Sequence, residues 1–427
     1  MRRGGRRGRS LLGWAIAVAV LGLAGCADFS DEPPSATVQP SLSPAEMHPQ
    51  GADPLTTSAA TPSSVDPSGQ PSDPGSTGAQ DPCRPTDPAI VAACLTAPWG
   101  LAVLPDGMSA VVGERTTGRI LQVAPQTEPV LVAQVDGVDA AGDGGLLGIA
   151  LSPHFTEDGL LYAYVTTKTD NRIVRIAPGD VPKAVFTGIP KGASHNGGRI
   201  EFGADGYLYV ATGDTGVTGA GSDPGTLAGK VLRLDEFGRP APADGSTPPA
   251  PGTSAAPTSE TVPPGSVPGT APADPLTAVY AGGLVNPTGI CAVTDGVAVI
   301  DRVGPADLLT VVTPGADLSV TSPLWSFGVS DGGAVDCAQT ETVLGATSLD
   351  QQLVTALALA PTGGFTGQPR QLAKATYGRL LTLEAGQQGL FWATTSNKDG
   401  HGDPQPRDDM VVIIPDGGGA GGDDGKD

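Results

Sequence analysis

Short stretches in which apolar and polar residues alternate recur along the chain, and each leads into an Asp-Gly or similar tight turn. The clearest are GLAVLPDGMSAVVGERTTGRILQV at 100–123, GIALSPHFTEDGLLYAYVTTKTDNRIVRI at 148–176 and GRIEFGADGYLYVATGD at 198–214. Alternation with a period of two predicts β-strands, and the turn residues predict hairpins. The pattern returns at 289–311 and 380–396, and no long amphipathic helix pattern interrupts it. We therefore expect an all-β chain.

The spacing of these units favours a β-propeller. The first three begin at positions 100, 148 and 198, and a period near 50 residues is the size of one propeller blade. Radial repetition of small antiparallel sheets builds a propeller. A β-sandwich also contains many short strands, so the period is what decides between the two folds.

The first 25 residues have the organisation of a bacterial signal peptide. Five arginines precede an apolar core at 11–25, which is short for a membrane span. The core ends in LAGC at 23–26, which resembles the lipobox of bacterial lipoproteins. That resemblance implies cleavage before Cys26 and acylation of its thiol, as with palmitate, giving an extracytoplasmic protein anchored by lipid to the cell membrane. An uncleaved anchor helix is the alternative.

Low-complexity segments surround and interrupt the predicted propeller. Residues 26–82 are rich in Pro, Ser and Thr, and we expect a tether there, since such a sequence buries too little apolar surface to fold. The propeller is predicted at 83–416. Within it, 239–275 is a Pro-rich insertion expected to lie between two blades, and 417–427 is a Gly- and Asp-rich tail expected to be disordered.

The charge disfavours nucleic acid as a partner. The whole chain carries a formal charge of −21, and without the five signal-peptide arginines 19 basic residues face 45 acidic ones, giving about −26.

Four cysteines follow Cys26 in a compartment that permits disulfides. We favour Cys83–Cys94 and Cys291–Cys337, although four cysteines allow three connectivities. No Cys-x-x-Cys pair indicates a metal site.

Several ordered motifs carry a family resemblance. GDGGLLGIALSPHF, NRIVRI, HNGGRIEFGADGYLYVATGD, LAGKVLRL and TSNKDGHGDP follow one another along the chain. They resemble the glucose/sorbosone dehydrogenase family, the soluble sugar dehydrogenases that depend on pyrroloquinoline quinone (PQQ). The resemblance runs from about Trp99 to Ile414, apart from the insertion. It implies six blades, PQQ at one mouth of the central channel, a catalytic Ca²⁺ and oxidation of a sugar hydroxyl.

The resemblance assigns three catalytic positions. His195, in HNGGR, stands where the family has the base that takes the C1 hydroxyl proton while hydride passes to the quinone. Asp143 matches a position facing the sugar, and Asp214 matches an acid near the base, where a carboxylate would orient the imidazole. Taken alone, each of these residues also suits a turn or a capping position.

Further positions are assigned to the cofactor and the metal. Asn286 matches the Asn of the family's RNP motif, which contacts PQQ, while Arg379 and Lys374 lie where other basic PQQ contacts are expected. Gly304 and Pro305 resemble the Gly-Pro pair whose backbone carbonyls hold Ca²⁺, a suitable donor type for a hard cation.

The chain departs from the family pattern at the cofactor site. Val285 replaces the arginine of RNP, and Leu381 replaces the second of two paired arginines. Losing a charge-assisted contact to an anionic cofactor weakens binding by about 1.5–3 kcal/mol. An active-site Gln has become Ser222, and the acidic run after Gly-Pro is reduced to Asp307. These changes place PQQ and Ca²⁺ binding in question.

Two main functional hypotheses follow. The first is an envelope-anchored, PQQ-dependent aldose dehydrogenase that takes a small sugar and passes electrons to a carrier. The second is a propeller whose cofactor site has decayed and which serves as a binding module or scaffold for another envelope protein. A hydrolytic, lactonase-type propeller has less support, because the family motifs occur in order.

Overall fold

The computed structural model describes residues 81–84, 86–241, 274–328 and 335–417. The predicted signal peptide, lipidated Cys26, nearly all of the predicted tether, most of the insertion and most of the tail lie outside the described residues. None of the helices in the described part has the length and apolar character needed to span a membrane.

The described chain is built almost wholly from short strands. The first twelve are β1 (Ile90–Ala92), β2 (Pro98–Val103), β3 (Ala110–Glu114), β4 (Arg119–Val123), β5 (Val130–Gln134), β6 (Leu146–Leu151), β7 (Leu161–Thr166), β8 (Asn171–Ile176), β9 (Lys183–Ile189), β10 (Gly197–Phe202), β11 (Leu208–Thr212) and β12 (Lys230–Leu234). One helical turn, α1 (Phe155–Asp158), and two 3₁₀ turns, at Ala220–Ser222 and Pro275–Ala278, accompany the strands.

Twelve more strands complete the described chain. They are β13 (Val279–Gly282), β14 (Asn286–Val293), β15 (Gly296–Val303), β16 (Ala306–Val311), β17 (Trp325–Phe327), β18 (Cys337–Gln339), β19 (Val343–Ser348), β20 (Leu353–Leu359), β21 (Phe365–Leu372), β22 (Leu380–Ala385), β23 (Leu390–Thr395) and β24 (Val411–Pro415).

The strands form six antiparallel sheets of four strands each. Blades one to five are β2–β5, β6–β9, β10–β13, β14–β17 and β18–β21, and blade six combines β22–β24 with β1. The first strands of successive blades contact one another in a closed ring that ends with β22 against β2. The β1 strand pairs with β24, Ile90 opposite Val412, so the start of the chain closes the last blade. The six-bladed β-propeller is therefore confirmed.

Apolar packing between blades explains why some strands lack a polar face. In β7, LYAYVT, all six residues are buried, because the strand lies between two layers of neighbouring sheet. One apolar cluster joins Tyr164 and Ile173 of blade two to Leu208 and Leu232 of blade three. Burial of such side chains contributes about 25 cal/mol per Å² of apolar surface.

Both favoured disulfides are present. Cys83 is bonded to Cys94, which ties the segment before β1 to the residues after it. Cys291 of β14 is bonded to Cys337 of β18, so this bond links the inner strands of blades four and five.

The placement of the insertion differs from the expectation. The segment 239–275 connects β12 to β13, which are neighbours in blade three. The prediction that it lies between two blades is wrong, because β13, VYAG, has only four residues and is too short to show a strand pattern.

Candidate active site

A cavity of about 500 Å³ lies on the propeller axis, since residues from or next to the inner strands of all six blades surround it. Its size falls within the range of about 300–1,000 Å³ typical of small-molecule sites. The lining residues are Trp99, Arg115, Gly142, Asp143, Asn196, Gly197, Arg199, Asn286, Pro287, Thr288, Arg302, Val335, Leu349, Arg379, Leu381, Ser396, Asp399 and His401.

His195 lies at the edge of this cavity, in the turn that leads into β10. The next two residues, Asn196 and Gly197, line the cavity itself. The backbone of His195 is left-handed, with φ of 53°, a conformation that non-glycine residues adopt seldom. Gly213 permits the turn, because a Cβ there would lie 1.9 Å from the carbonyl oxygen of His195.

The His195 imidazole pairs with Asp214. Its Nδ1 lies 2.8 Å from Asp214 Oδ1, an oxygen that also accepts the backbone N–H of Gly216 at 2.8 Å. Because an ionised carboxylate only accepts hydrogen bonds, the neutral form of the ring carries its proton on Nδ1 and keeps its lone pair on Nε2. Asp214 is buried while about a third of the His195 side chain is exposed. The ring can therefore meet a ligand with its basic nitrogen.

Asp143 fixes the backbone of the same turn. Its Oδ2 accepts the N–H of His195 at 2.8 Å. Arg115 holds the neighbouring loop by donating from Nη1 to the carbonyl oxygens of Gly142, at 3.1 Å, and Gly144, at 2.6 Å. Burial lowers the pKa of Arg115, and the nearby Asp143 charge opposes that change. All three predicted catalytic residues thus lie together.

A second carboxylate connects this pair to Asn286. The N–H of Asp214 donates to the carbonyl oxygen of Val285 at 2.8 Å, and Asp301 accepts the N–H groups of Val285, at 3.0 Å, and Asn286, at 2.8 Å. Burial raises the pKa of Asp301 to about 6, and the Asp214 charge adds to the rise. The sequence reasoning missed Asp301, whose signal is an acid at the end of the apolar run VAVI.

Four arginines line the cavity, and only Arg379 was expected there. Arg379 pairs with Asp350 at 2.7 Å and Asp399 at 3.1 Å, and Arg302 forms a two-point pair with Asp307 at 2.8 and 3.0 Å. Arg115 and Arg302 lie in strand patterns of the sequence, and only the packing of the blades shows that both line one cavity.

Arg199 forms part of the cavity wall. Its Nε donates to Thr288 O at 2.8 Å, and its Nη1 donates to Thr382 Oγ1 at 2.7 Å and lies 3.2 Å from Asp336 Oδ2. The Nη2 nitrogen is buried and has no hydrogen-bond partner among the described residues. A buried donor of this kind is costly to leave unpaired, so it marks a place where an anionic ligand group would be accepted.

Comparison with known proteins places this chain in a family. The glucose/sorbosone dehydrogenase model matches residues 95–252. The PQQ-bound aldose sugar dehydrogenase of Streptomyces coelicolor is 31% identical, with 76% of this chain and 96% of that chain covered and a TM-score of 0.64. The chain belongs to the glucose/sorbosone dehydrogenase family.

Two further relatives show a similar sequence identity to this chain. A Thermus thermophilus oxidoreductase described as a glucose dehydrogenase is 30% identical, with 76% and 98% of the two chains covered and a TM-score of 0.60. The aldose sugar dehydrogenase YliI of Escherichia coli (strain K12) is 30% identical over 154 residues, which are 33% of this chain and 42% of that protein. The match to YliI thus spans less than half of that protein's length.

Of the remaining residues at family positions, some line the cavity and others lie away from it. Leu381, in place of a family arginine, is buried in the cavity wall, whereas the side chain of Val285 is not part of that wall. Lys374 is exposed, hydrogen-bonds Gln371 at 3.0 Å and is absent from the cavity lining. Ser222 is exposed on a 3₁₀ turn, also away from the lining.

The proposed metal position is a hairpin turn. Gly304 and Pro305 connect β15 to β16 and are exposed, and Asp307 is buried against Arg302. Within the described residues, no group of three or more His, Cys, Asp or Glu side chains is arranged to hold a metal ion.

Proposed function

We propose that the protein is a PQQ-dependent aldose dehydrogenase that oxidises the C1 hydroxyl of a sugar. The observation that carries this proposal is the His195–Asp214 pair, 2.8 Å apart, at the edge of a cavity lined by four arginines. Family membership supports it, since relatives of similar fold are PQQ-bound or quinoprotein sugar dehydrogenases by name.

His195 serves as the base in this proposal. Asp214 accepts the Nδ1–H bond, which leaves Nε2 to take the hydroxyl proton. The carboxylate then stabilises the imidazolium through a charge-assisted hydrogen bond. Asp143 keeps the backbone of His195 in place through its 2.8 Å bond to the N–H, so the ring is oriented before the substrate arrives.

The cavity residues fit an anionic cofactor. PQQ, when bound, supplies the quinone that accepts hydride and brings several carboxylates into the site. The unpartnered Nη2 of Arg199 offers a charge-assisted donor to such a group. Arg115 adds a second guanidinium that makes no carboxylate ion pair among the described residues, and Asn286 contributes an amide to the wall. These cations offset the loss of positive charge at Leu381 and Val285.

This chain offers fewer ligands to Ca²⁺ than a complete calcium site needs. The Gly304–Pro305 turn offers backbone carbonyls, and the nearby Asp307 already pairs with Arg302 at 2.8 Å. We propose that these two carbonyls would be the ligands this chain offers to Ca²⁺, and they fall short of the six to eight oxygens that the ion prefers.

A specific observation favours the decayed-site alternative. Leu381 presents an aliphatic surface to the cavity, and Arg302 and Arg379 are already paired with Asp307, Asp350 and Asp399. Under this alternative the cavity holds a different ligand, or the propeller serves as a scaffold for an envelope partner, and the His195–Asp214 pair is an inherited feature.

We also propose that the protein is anchored at the outer face of the cell membrane through acylated Cys26, with an electron carrier of the envelope as its redox partner. The lipobox sequence LAGC at 23–26 supports this location. Replacing Cys26 with Ser is expected to move the protein from the membrane fraction to the soluble extracytoplasmic fraction. Equal membrane retention of both forms would contradict lipid anchoring.

Titration of the purified protein with PQQ, with and without Ca²⁺, tests the main proposal. A ligand that binds the folded state raises its stability in proportion to the logarithm of ligand concentration above Kd. The dehydrogenase proposal predicts saturable binding at one site, followed by dye reduction on addition of an aldose. Absence of binding by protein with intact folded-state spectra would favour the decayed-site alternative.

A further inference from the structure

The turn that carries His195 is tied to blade two by buried polar side chains that the proposed reaction does not use. This turn, residues 190–196, connects β9 of blade two to β10 of blade three. Tyr164 of β7 and Asn171 at the start of β8 reach it from blade two, and Asn196 belongs to it. At most 1% of each of these three residues is exposed. We call them the anchor network.

Asn196 closes the turn on itself. Its Oδ1 accepts the N–H of Gly192 at 2.9 Å, and its Nδ2 donates to the Gly192 carbonyl oxygen at 2.9 Å. One amide side chain thus pairs with both backbone groups of a single residue, as the backbone of a neighbouring antiparallel strand would. Because Asn196 directly follows His195, these two bonds limit the positions that the His195 backbone can take.

Asn171 attaches the closed turn to blade two. Its Nδ2 donates to the carbonyl oxygen of Pro190 at 2.7 Å and to Asn196 Oδ1 at 3.1 Å. Both partners are acceptors, so the amide of Asn171 must present its nitrogen to the turn. The first and last residues of the turn are therefore held by one buried side chain of blade two.

Tyr164 holds the backbone immediately after the base. Its hydroxyl donates to the carbonyl oxygen of Asn196 at 2.9 Å. Burial raises the pKa of Tyr164 well above its usual value, so the hydroxyl keeps its proton and remains a donor. Asp214, which pairs with the His195 ring, follows β11 of blade three. The geometry of that pair therefore depends on how blade two holds the turn.

The backbone on both sides of Asn196 is left-handed. His195 has φ of 53° and Gly197 has φ of 67°. Such a conformation at a histidine persists where surrounding contacts impose it, and the anchor network supplies contacts of this kind. Placement of the base also matters for rate, because an error of about 1 Å in a catalytic group lowers a rate on the order of 10²-fold.

We infer that Tyr164 and Asn171 are positioning residues that act through Asn196 to hold His195 where it accepts the substrate proton. Neither residue lines the cavity, so their effect passes through the backbone of the turn. The inference deepens the proposed function, and its consequence for turnover rests on that function. Its consequence for the His195–Asp214 pair is measurable without cofactor or substrate.

The test compares two buried tyrosines of β7. Tyr164→Phe removes the hydroxyl that reaches the turn, and the matched control Tyr162→Phe removes one that donates to the carbonyl oxygen of Glu236 at 2.7 Å. Asn171→Ala removes the amide. Nitrogen NMR without PQQ, at about pH 8.5 where an ordinary imidazole is neutral, reports which ring nitrogen of His195 carries the proton, and His195→Ala identifies the signals.

The ring signals should change in both anchor variants, Tyr164→Phe and Asn171→Ala. We expect wild type and the control to show the proton on Nδ1, because Asp214 accepts it. In the anchor variants the loosened pair should give signals averaged between the two neutral tautomers. Tyr164→Phe removes a single oxygen and carries the test if Asn171→Ala does not fold, which circular dichroism establishes.

Steady-state rates of the PQQ-loaded proteins give a second readout. We expect kcat to fall about tenfold in Tyr164→Phe and on the order of 10²-fold in Asn171→Ala. KM should change by less than about twofold, since a positioning defect acts on the transition state more than on ground-state binding. Tyr162→Phe should retain both constants.

The outcomes separate the inference from the proposed function. Wild-type ring signals in both anchor variants would overturn the inference, whatever their melting temperatures, because a merely structural role changes stability alone. Absence of turnover in every protein, wild type included, would overturn the proposed function. The ring signals are recorded without PQQ and would still decide whether the anchor network positions His195.

Discussion

His195 is held by three contacts from two separate turns, one at Asp143 and the other at Asp214 and Thr215. Asp143 accepts its backbone N–H, Asp214 accepts from its ring, and Thr215 donates its N–H to the His195 carbonyl oxygen at 3.1 Å. Together these contacts maintain a left-handed backbone that the residue would otherwise adopt seldom. The imidazole is therefore positioned before any ligand binds, as a general base requires.

Removing the base should lower the turnover rate and leave the melting temperature nearly unchanged. His195→Ala is expected to lower aldose-dependent dye reduction about 10²- to 10⁴-fold. Asp214→Asn should approach that loss, because its amide can donate to Nδ1 and so favour the tautomer with a proton on Nε2. The double variant should be little worse than His195→Ala, since the pair acts as a unit.

Steady-state rates and melting temperatures for these variants provide the measurement. His154→Ala, at an exposed position beside α1, is the matched control and should retain wild-type turnover. Turnover in His195→Ala within twofold of the control would remove His195 from the mechanism.

Asp301 predicts a dependence of stability on pH. Its pKa is raised to about 6 in the folded protein and is about 4 in an unfolded chain. Between these two pH values the folded state binds more protons than the unfolded state, so the free energy of unfolding falls as pH rises from about 4 to 6. Above about pH 6, Asp301 lowers it no further. In Asp301→Asn, the decrease in the free energy of unfolding between pH 4 and 6 should be smaller than in wild type by about 1–3 kcal/mol.

Urea unfolding of wild type and Asp301→Asn at several values between pH 4 and 7 measures this difference. Asp336 titrates in the same window in both proteins and cancels in the comparison. Parallel curves for the two proteins would show that Asp301 contributes no such dependence.

Single residues differ in how far the sequence could predict them. The approach of Asp143 and Asp214 to His195 was expected because all three occur in recognisable motifs. Arg199 and Asp301 were not identified as site residues, since a charged residue within an apolar strand shows its partners only after the blades close. Lys374 was expected near the cofactor, but the structure leaves it exposed beside Gln371.

At the level of elements, the inner strands of the blades carry both the cavity wall and the connection between blades. The Cys291–Cys337 bond joins β14 to β18 and spans 46 residues, whereas Cys83–Cys94 spans 11. The cysteine spacing along the chain favoured these two pairs among three possible connectivities, and both bonds are present. The short strand β13 escaped prediction, which is why the insertion was assigned to the wrong place.

The two disulfides should differ in their contribution to stability. Loop-closure entropy predicts a loss of about 4 kcal/mol on replacing Cys291 and Cys337 with Ser, and of about 3 kcal/mol for Cys83 and Cys94. Urea unfolding of the two double-serine variants measures both values. A clearly larger loss from the shorter loop would contradict the entropic account.

The whole molecule depends on closure of the ring. The β1 strand completes blade six from the opposite end of the described chain, and Ile90 is buried in the cluster around β22–β24. Repeat spacing predicted a propeller, but this pairing joins residues more than 300 positions apart and left no local signal in the sequence. The number of blades came from the family resemblance.

Weakening this closure should destabilise the propeller. Ile90→Ala is expected to lower the free energy of unfolding by about 2–5 kcal/mol, the usual cost of such a truncation in a core. Val181→Ala, at a side chain that is 69% exposed, should change it by less than about 0.5 kcal/mol. Equal, small effects at both positions would show that β1 is dispensable for closure.

Aldose-dependent dye reduction by the purified protein loaded with PQQ and Ca²⁺ tests whether the cavity beside His195 oxidises a sugar. We expect a rate that saturates with PQQ at one equivalent per chain and is lost in His195→Ala. No reduction with any aldose, in folded protein to which PQQ is bound, would contradict the claim that this cavity is a working sugar dehydrogenase site.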